Sequence, residues 1–225
     1  KLQVDTVPDP TIVNPRDAIL RVIMSSVCGS DLHLLGGYVP AMKPGDIIGH
    51  EFLGEVVETG SAITGLAKGD RVVSISIIGC GDCEYCKRSD FSCCDNSNPN
   101  AAMMEKIYSF STAGIFGYSH LFGGYAGAQA EYVRVPFADV GAFKIPDGTQ
   151  TGTSFRVRGR GMPEVTGAGR GDLIVTVKVI TPKKLTKEQK KLLEQLATTL
   201  PKEKFEPTAS ENEKGIFGRV KDIFG

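Results

Sequence analysis

The chain has 225 residues, 41% hydrophobic and 23% charged, with formal net charge zero. That is ordinary globular composition, long enough for one large domain or two small ones. It contains no apolar run near the ~18 residues of a membrane span, and no secretory segment opens it, so a cytoplasmic chain without membrane partners is expected.

Lys1 at the first position implies that a beginning has been lost. The zero net charge hides an asymmetry. Residues 1–150 hold 11 basic and 17 acidic residues, a charge of −6, whereas residues 151–225 hold 15 and 9, a charge of +6. All six cysteines and all three histidines lie in the first part. The basic tail mixes signs and lacks interleaved aromatics, so it reads as a solvated surface and no nucleic-acid partner is expected.

In chain order, Val4 to Pro10 is extended and ends in a Pro-Asp-Pro turn. Residues 17–27 are rich in β-branched side chains and predict a strand. It runs into Cys28-Gly-Ser30-Asp31-Leu-His33. Gly49-His50-Glu51 follows, then an alternating strand at 54–58 and a Gly-Asp turn that feeds residues 71–75. Later come a glycine-rich loop from Gly114 to Gly127 and one more strand, 130–136. Short strands separated by Gly, Pro and Asp turns every 8–12 residues predict a mainly β fold, a barrel.

The central feature is Cys80-Gly-Asp-Cys83-Glu-Tyr-Cys86, with Cys94 eight positions on. Thiols at every third position and a fourth after a short loop can meet at one tetrahedral centre, as structural zinc requires. A long chain with no secretory segment argues against the alternative, a set of disulfides. Cys93 stands beside the fourth ligand and can replace it only in a shorter loop. Cys28 and His50 form a second candidate pair, each at a strand end. A thiolate and an imidazole on one Zn²⁺, completed by a third ligand and water, is a catalytic arrangement. A pair that far apart is weak evidence by itself.

Cys-Gly-Ser-Asp-x-His, Gly-His-Glu, Gly-Asp-Arg-Val and the four-cysteine lobe together resemble the medium-chain zinc alcohol dehydrogenases. The runs 94–99 and 123–133 are similar to the formaldehyde-dehydrogenase-type branch. The resemblance covers residues 1–147 and implies a GroES-like β-barrel carrying a structural-zinc lobe. It implies that Cys28 and His50 are catalytic-zinc ligands and Glu51 the nearby carboxylate. It implies that Asp31 orients the zinc histidine, that Ser30 and His33 relay the proton, and that the substrate is a small alcohol or aldehyde. On the residues alone, Asp31 can instead cap a helix, Ser30 can close a turn, and His33 and His120 can be ordinary surface and loop imidazoles. NAD is expected for the family. Its fingerprint Gly-x-Gly-x-x-Gly occurs nowhere: Gly159-Arg-Gly161 and Gly167-Ala-Gly169 both fail at the last position. Nor is there a third zinc ligand after Gly148. A dehydrogenase half without its nucleotide site is expected to be inactive.

From Ile145 onward, Ile-Pro-Asp-Gly-Thr-Gln, Phe155-Arg-Val-Arg-Gly-Arg-Gly-Met-Pro163 and Gly169-Arg-Gly-Asp-Leu-Ile-Val resemble the C-terminal substrate-binding region of DnaJ-type co-chaperones. Leu173, Val175, Val177 and Val179 share one strand face. Thr186 and Gln189 form a capping box that opens a helix bearing Leu192, Leu193, Leu196 and Leu200, halted by Pro201. A polar linker, 207–214, precedes an apolar stripe of Ile216, Phe217, Val220, Ile223 and Phe224. The resemblance implies a small sheet-and-helix fragment in residues 148–225. It further implies non-native polypeptides as partners and homodimerisation through 215–225. Lys-Ile-Pro-Asp-Gly suits both the end of the first part and the start of the second. The chain therefore reads as a chimera joined at that phrase, by recombination or by faulty assembly of sequence reads, and the latter would leave it without a function of its own.

Overall fold

In the computed structural model, residues 2–149, 151–159, 161, 169–178 and 186–199 are described. They divide into two compact units, Lys1–Asp147 and Gly148–Gly225. The expected apolar stripe at 216–224, the dimer contact through 215–225, the linker 207–214, Val179, Leu200 and Pro201 lie outside the described residues.

The first unit is built on strand β1 (Ala18–Ser25), which begins where Asp17 is fixed. The buried Asp17 carboxylate accepts the Val13 and Asn14 N–H groups and pairs with Arg134 at 3.0 Å. Helix α1 (Gly29–Leu35) follows, then β2 (Phe52–Thr59), β3 (Arg71–Ser74) and β4 (Ile77–Ile78). Helices α2 (Glu84–Lys87) and α3 (Ala101–Tyr108) precede β5 (Gly114–Ile115), β6 (Tyr132–Val135), helix α4 (Ala138–Gly141) and β7 (Ala142–Lys144). Five strands form one antiparallel sheet in the order β6-β1-β2-β3-β7, and β4 pairs with β5 in a separate ladder. Among the described residues the large ladder is open, with β6 and β7 at its edges. The extended segment at 4–10 joins no strand.

Alternation decides which faces are buried. In β2, Phe52, Gly54 and Val56 are buried, whereas the residues between them are only partly covered. Phe52 and Val56 join Ala18, Leu20, Val72, Phe116, Val133 and Val135 in one core, each full aliphatic burial being worth about 1.5–3 kcal/mol. Phe116 meets Phe52 edge-to-face, with centroids 5.3 Å apart. That contact ties the glycine-rich loop to the sheet.

The second unit pairs β8 (Ser154–Val157) with β9 (Leu173–Thr176), Phe155 opposite Val175 and Val157 opposite Leu173. Those four side chains and Val177 are half-buried on one face, while Thr176 and Lys178 are exposed, as alternation predicts. Helix α5 (Lys187–Thr199) opens on the expected capping box: the Thr186 N–H donates to Gln189 Oε1 and the Gln189 N–H to Thr186 Oγ1. Leu192, Leu193 and Leu196 on this helix are exposed.

Candidate metal centres

The four-cysteine lobe grows from the end of β4. Tight turns are needed here, and glycine supplies them. Gly81 has φ +81° and packs so that a β-carbon would lie 2.7 Å from Val140. A β-carbon on Gly79 would meet the Phe91 ring at 2.5 Å. Cys83 starts α2, its sulfur accepting the Cys86 N–H at 3.4 Å. The Cys80 sulfur accepts N–H groups from Asp82 and Cys83 and the Asn96 amide at 3.3–3.4 Å. The Cys94 sulfur accepts the Cys80 N–H at 3.3 Å.

The sulfurs of Cys80, Cys83, Cys86 and Cys94 all lie within 4.8 Å of one another, and the Cys80–Cys86 separation is 3.9 Å. Zinc–sulfur bonds of about 2.3 Å at a tetrahedral angle set about 3.8 Å between sulfurs. The six thiols are free of disulfides. Cys94 is buried in the cluster and Cys93 is exposed outside it. Burial works against ionising Cys80, yet the donors from Asp82, Cys83 and Asn96 outweigh it and bring its pKa to about 7. Cys86 is held well above the usual thiol range, by burial first and by its cysteine neighbours. Thiolates this close repel one another, and a divalent cation removes the conflict. The donor set fits Zn²⁺.

The second cluster is built on the first turn of α1. Cys28 is the N-cap: its sulfur accepts the Ser30 N–H at 3.3 Å, and Asp31 Oδ2 accepts the Cys28 N–H at 2.9 Å. His50 arrives at the end of segment 47–49, which is clamped by backbone. Gly127 N–H donates to Ile47 O at 2.7 Å, Ala128 N–H to Gly49 O and Gln129 N–H to Ile48 O. The clamp requires glycines, since a β-carbon on Gly127 would lie 2.3 Å from the Ile48 carbonyl.

Cys28 Sγ stands 3.0 Å from His50 Nε2, and Asp31 Oδ1 stands 3.6 Å from His50 Nδ1. Asp31 and His50 are buried. Cys28, Asp31 and His50 thus each place one donor atom within 4.8 Å of the others. The two contacts run to different ring nitrogens, so the sulfur and the carboxylate flank the imidazole. Glu51 is exposed, its carboxylate accepting the Ser26 hydroxyl. On the Nε2 side the described residues supply two donors to a metal, not three, so a closed zinc site is not formed there.

Ser30 Oγ lies 3.2 Å from the Cys28 sulfur. His33 is exposed on α1, edge-on to Tyr38 at 5.7 Å. His120 leaves the site altogether and pairs with Asp46 at 3.0 Å. Sequence reasoning missed Tyr118. Its ring meets His50 edge-on at 6.2 Å, and burial, then the charges of Cys28 and Asp31, hold its phenol above the usual range. It stands in the glycine-rich loop, one residue after Gly117, and nothing in its local sequence points to His50.

Residues 119–182 match the DnaJ C terminal domain. The zinc-type alcohol dehydrogenase-like protein AdhB of Bacillus subtilis is 48% identical over 144 residues, 64% of this chain and 36% of that protein. The glutathione-independent formaldehyde dehydrogenase of Pseudomonas aeruginosa is 36% identical over 153 residues, 65% of this chain and 35% of that protein. Among solved structures, alcohol dehydrogenase TADH from Thermus sp. superimposes with a TM-score of 0.54 at 39% identity, over 63% of this chain and 36% of that one. The chain therefore spans about a third of the length of these relatives. Residues 14–147 match the alcohol dehydrogenase GroES-like domain, and the chain belongs to that family.

Proposed function

We propose that residues 1–147 are the metal-binding half of a zinc-dependent dehydrogenase whose substrates are small alcohols or aldehydes. The carrying observation is the convergence of four sulfurs on one point. Cys80, Cys83, Cys86 and Cys94 hold a structural zinc, which crosslinks the lobe and takes no part in chemistry. In this reading Cys28 and His50 are ligands of the catalytic metal, with Asp31 orienting the imidazole and Ser30 and His33 passing the alcohol proton outward. A zinc there lowers the pKa of a bound alcohol. With Glu51 or water as the remaining donor, its retention is weak. NAD is the expected oxidant for such chemistry, and the fingerprint that binds it is missing from these 225 residues. The chain alone is therefore expected to give no NADH absorbance with ethanol or formaldehyde.

Metal counting tests the reading. The purified chain should carry one firmly held zinc, Cys83→Ser should lose it, and Cys28→Ser should keep it. A chain without metal, or a Cys28→Ser variant that loses its firm zinc, refutes the assignment. The DnaJ C-terminal domain match supports a second reading, in which residues 148–225 hold non-native polypeptide weakly and dimerise. Suppression of client aggregation that survives deletion of residues 1–144 separates it from the first.

A further inference from the structure

The phrase Lys144-Ile-Pro-Asp147-Gly148 suits both parts of the sequence, and the two compact units divide at its Asp147–Gly148 bond. β7 ends at Lys144, and Asp147 and Gly148 are exposed in the turn that follows. Gly148 has φ +73°, and a β-carbon on it would meet no heavy atom within 4 Å. Asp147 is the one aspartate in the chain followed by glycine, and no asparagine is so followed. An aspartate carboxyl carbon lies within reach of the next residue's nitrogen, and their bond closes a five-membered ring. A side chain on the second residue crowds that closure. Glycine has none, and it turns through the required backbone angles at low cost.

We propose that Asp147–Gly148 is a modification site at which the chain rearranges spontaneously to an isoaspartyl link. The Gly148 nitrogen bonds to Cγ of the neutral carboxyl, whose hydroxyl leaves as water with the amide proton. Water then opens the resulting succinimide. Attack at Cγ restores aspartate, whereas attack at the α-carbonyl breaks its bond to nitrogen and leaves the main chain running through the Asp147 β-carbon. Neither mass nor oxidation state changes. The link between the units grows by one carbon, and a free α-carboxylate replaces the side-chain one. The ladders on either side need not move: the Ile145 N–H donates to Arg71 O at 2.8 Å before the turn, and β8 begins at Ser154 after it.

The test ages the full chain at neutral pH. Peptide fragmentation then separates isoaspartyl from aspartyl bonds, and labelling by an isoaspartyl methyltransferase with S-adenosylmethionine gives a second readout. Isoaspartate should form at 147 before any other aspartate. Its rate should be within about threefold of the rate in urea, because an exposed turn opens at close to zero free-energy cost. Asp147→Glu keeps the charge and should abolish the signal, since closure then needs a six-membered ring. The proposal is overturned by isoaspartate at 147 only in urea, by its earlier appearance at another aspartate, or by a signal that survives Asp147→Glu.

Discussion

Asp31 performs two tasks with two oxygens. Oδ2 caps the first turn of α1 through the Cys28 N–H, while Oδ1 faces His50. The residues alone offered helix cap and the family resemblance offered histidine partner, and the structure contains both contacts because Cys28 is itself the capped residue. Cysteine spacing was legible for a similar reason, since thiols three apart in a turn can hardly avoid one another. Tyr118 was not legible, because its contact with His50 spans 68 positions (118 − 50) and no local pattern encodes it. At this scale a pH effect follows from Asp70 and Lys144, paired at 2.6 Å. The Lys144 hydrogen bond first, then the Ala67 N–H, hold Asp70 below its ordinary 3.8, and Asp70 holds Lys144 above 10.5. The Asp70 contribution is complete above the unfolded carboxylate value and disappears as pH falls through the folded one. The Lys144 contribution is complete below 10.5 and disappears as pH rises through its folded value. Asp70→Asn should therefore lower the urea midpoint at neutral pH and flatten its decline in acid. An acid decline as steep as that of the unaltered chain would exclude the pair as a contributor.

The elements divide by what specifies them. β2, β3 and β6 alternate, and β1 is rich in branched side chains although its burial does not alternate, so their positions were readable to within a few residues. Helix α3 was not read. Asn100 makes no side-chain cap to it, and what anchors the segment is remote: the buried Asn98 amide donates to Leu121 O at 2.8 Å, and Asn100 to His120 O. The same kind of remote packing places His50. Segment 47–49 lies against Gly117 and Gly127, and a β-carbon on Gly117, whose φ is +53°, would come within 2.5 Å of Gly49 N. Gly127→Ala leaves backbone angles tolerable but forces a collision with the Ile48 carbonyl, an overpacking cost of about 1–3 kcal/mol. The urea midpoint should fall and the Cys28–His50 contact should open, read as a changed His50 ring resonance. The firm zinc should remain at one per chain, because no cysteine of the lobe lies in the clamp. Loss of that zinc would mean that the clamp and the lobe are one cooperative element.

Across the whole chain, the two units differ in how much they bury. The first contains a core with Leu20, Val56 and Val72 fully covered. None of the described residues beyond 147 is fully buried. β8 and β9 form a two-stranded ladder, and an isolated pair of strands is marginal in water. The match to the DnaJ C terminal domain begins at 119, yet β6, within that match, is hydrogen-bonded to β1, so residues 132–135 stabilise the first unit. Local opening free energy rises with buried apolar contact. Amides of β1, β2 and β3 should thus exchange with solvent at least about tenfold more slowly than those of β8 and β9, in one hydrogen-exchange experiment on the zinc-loaded chain. Adding a chelator should erase protection first at 80–94, where the proposed zinc would tie together a small cluster of Phe91, Ala113 and the cysteines, and only later in the large sheet. If β8 and β9 prove the best protected, the second unit is stabilised by residues beyond those described, and the division of stability argued from burial is wrong.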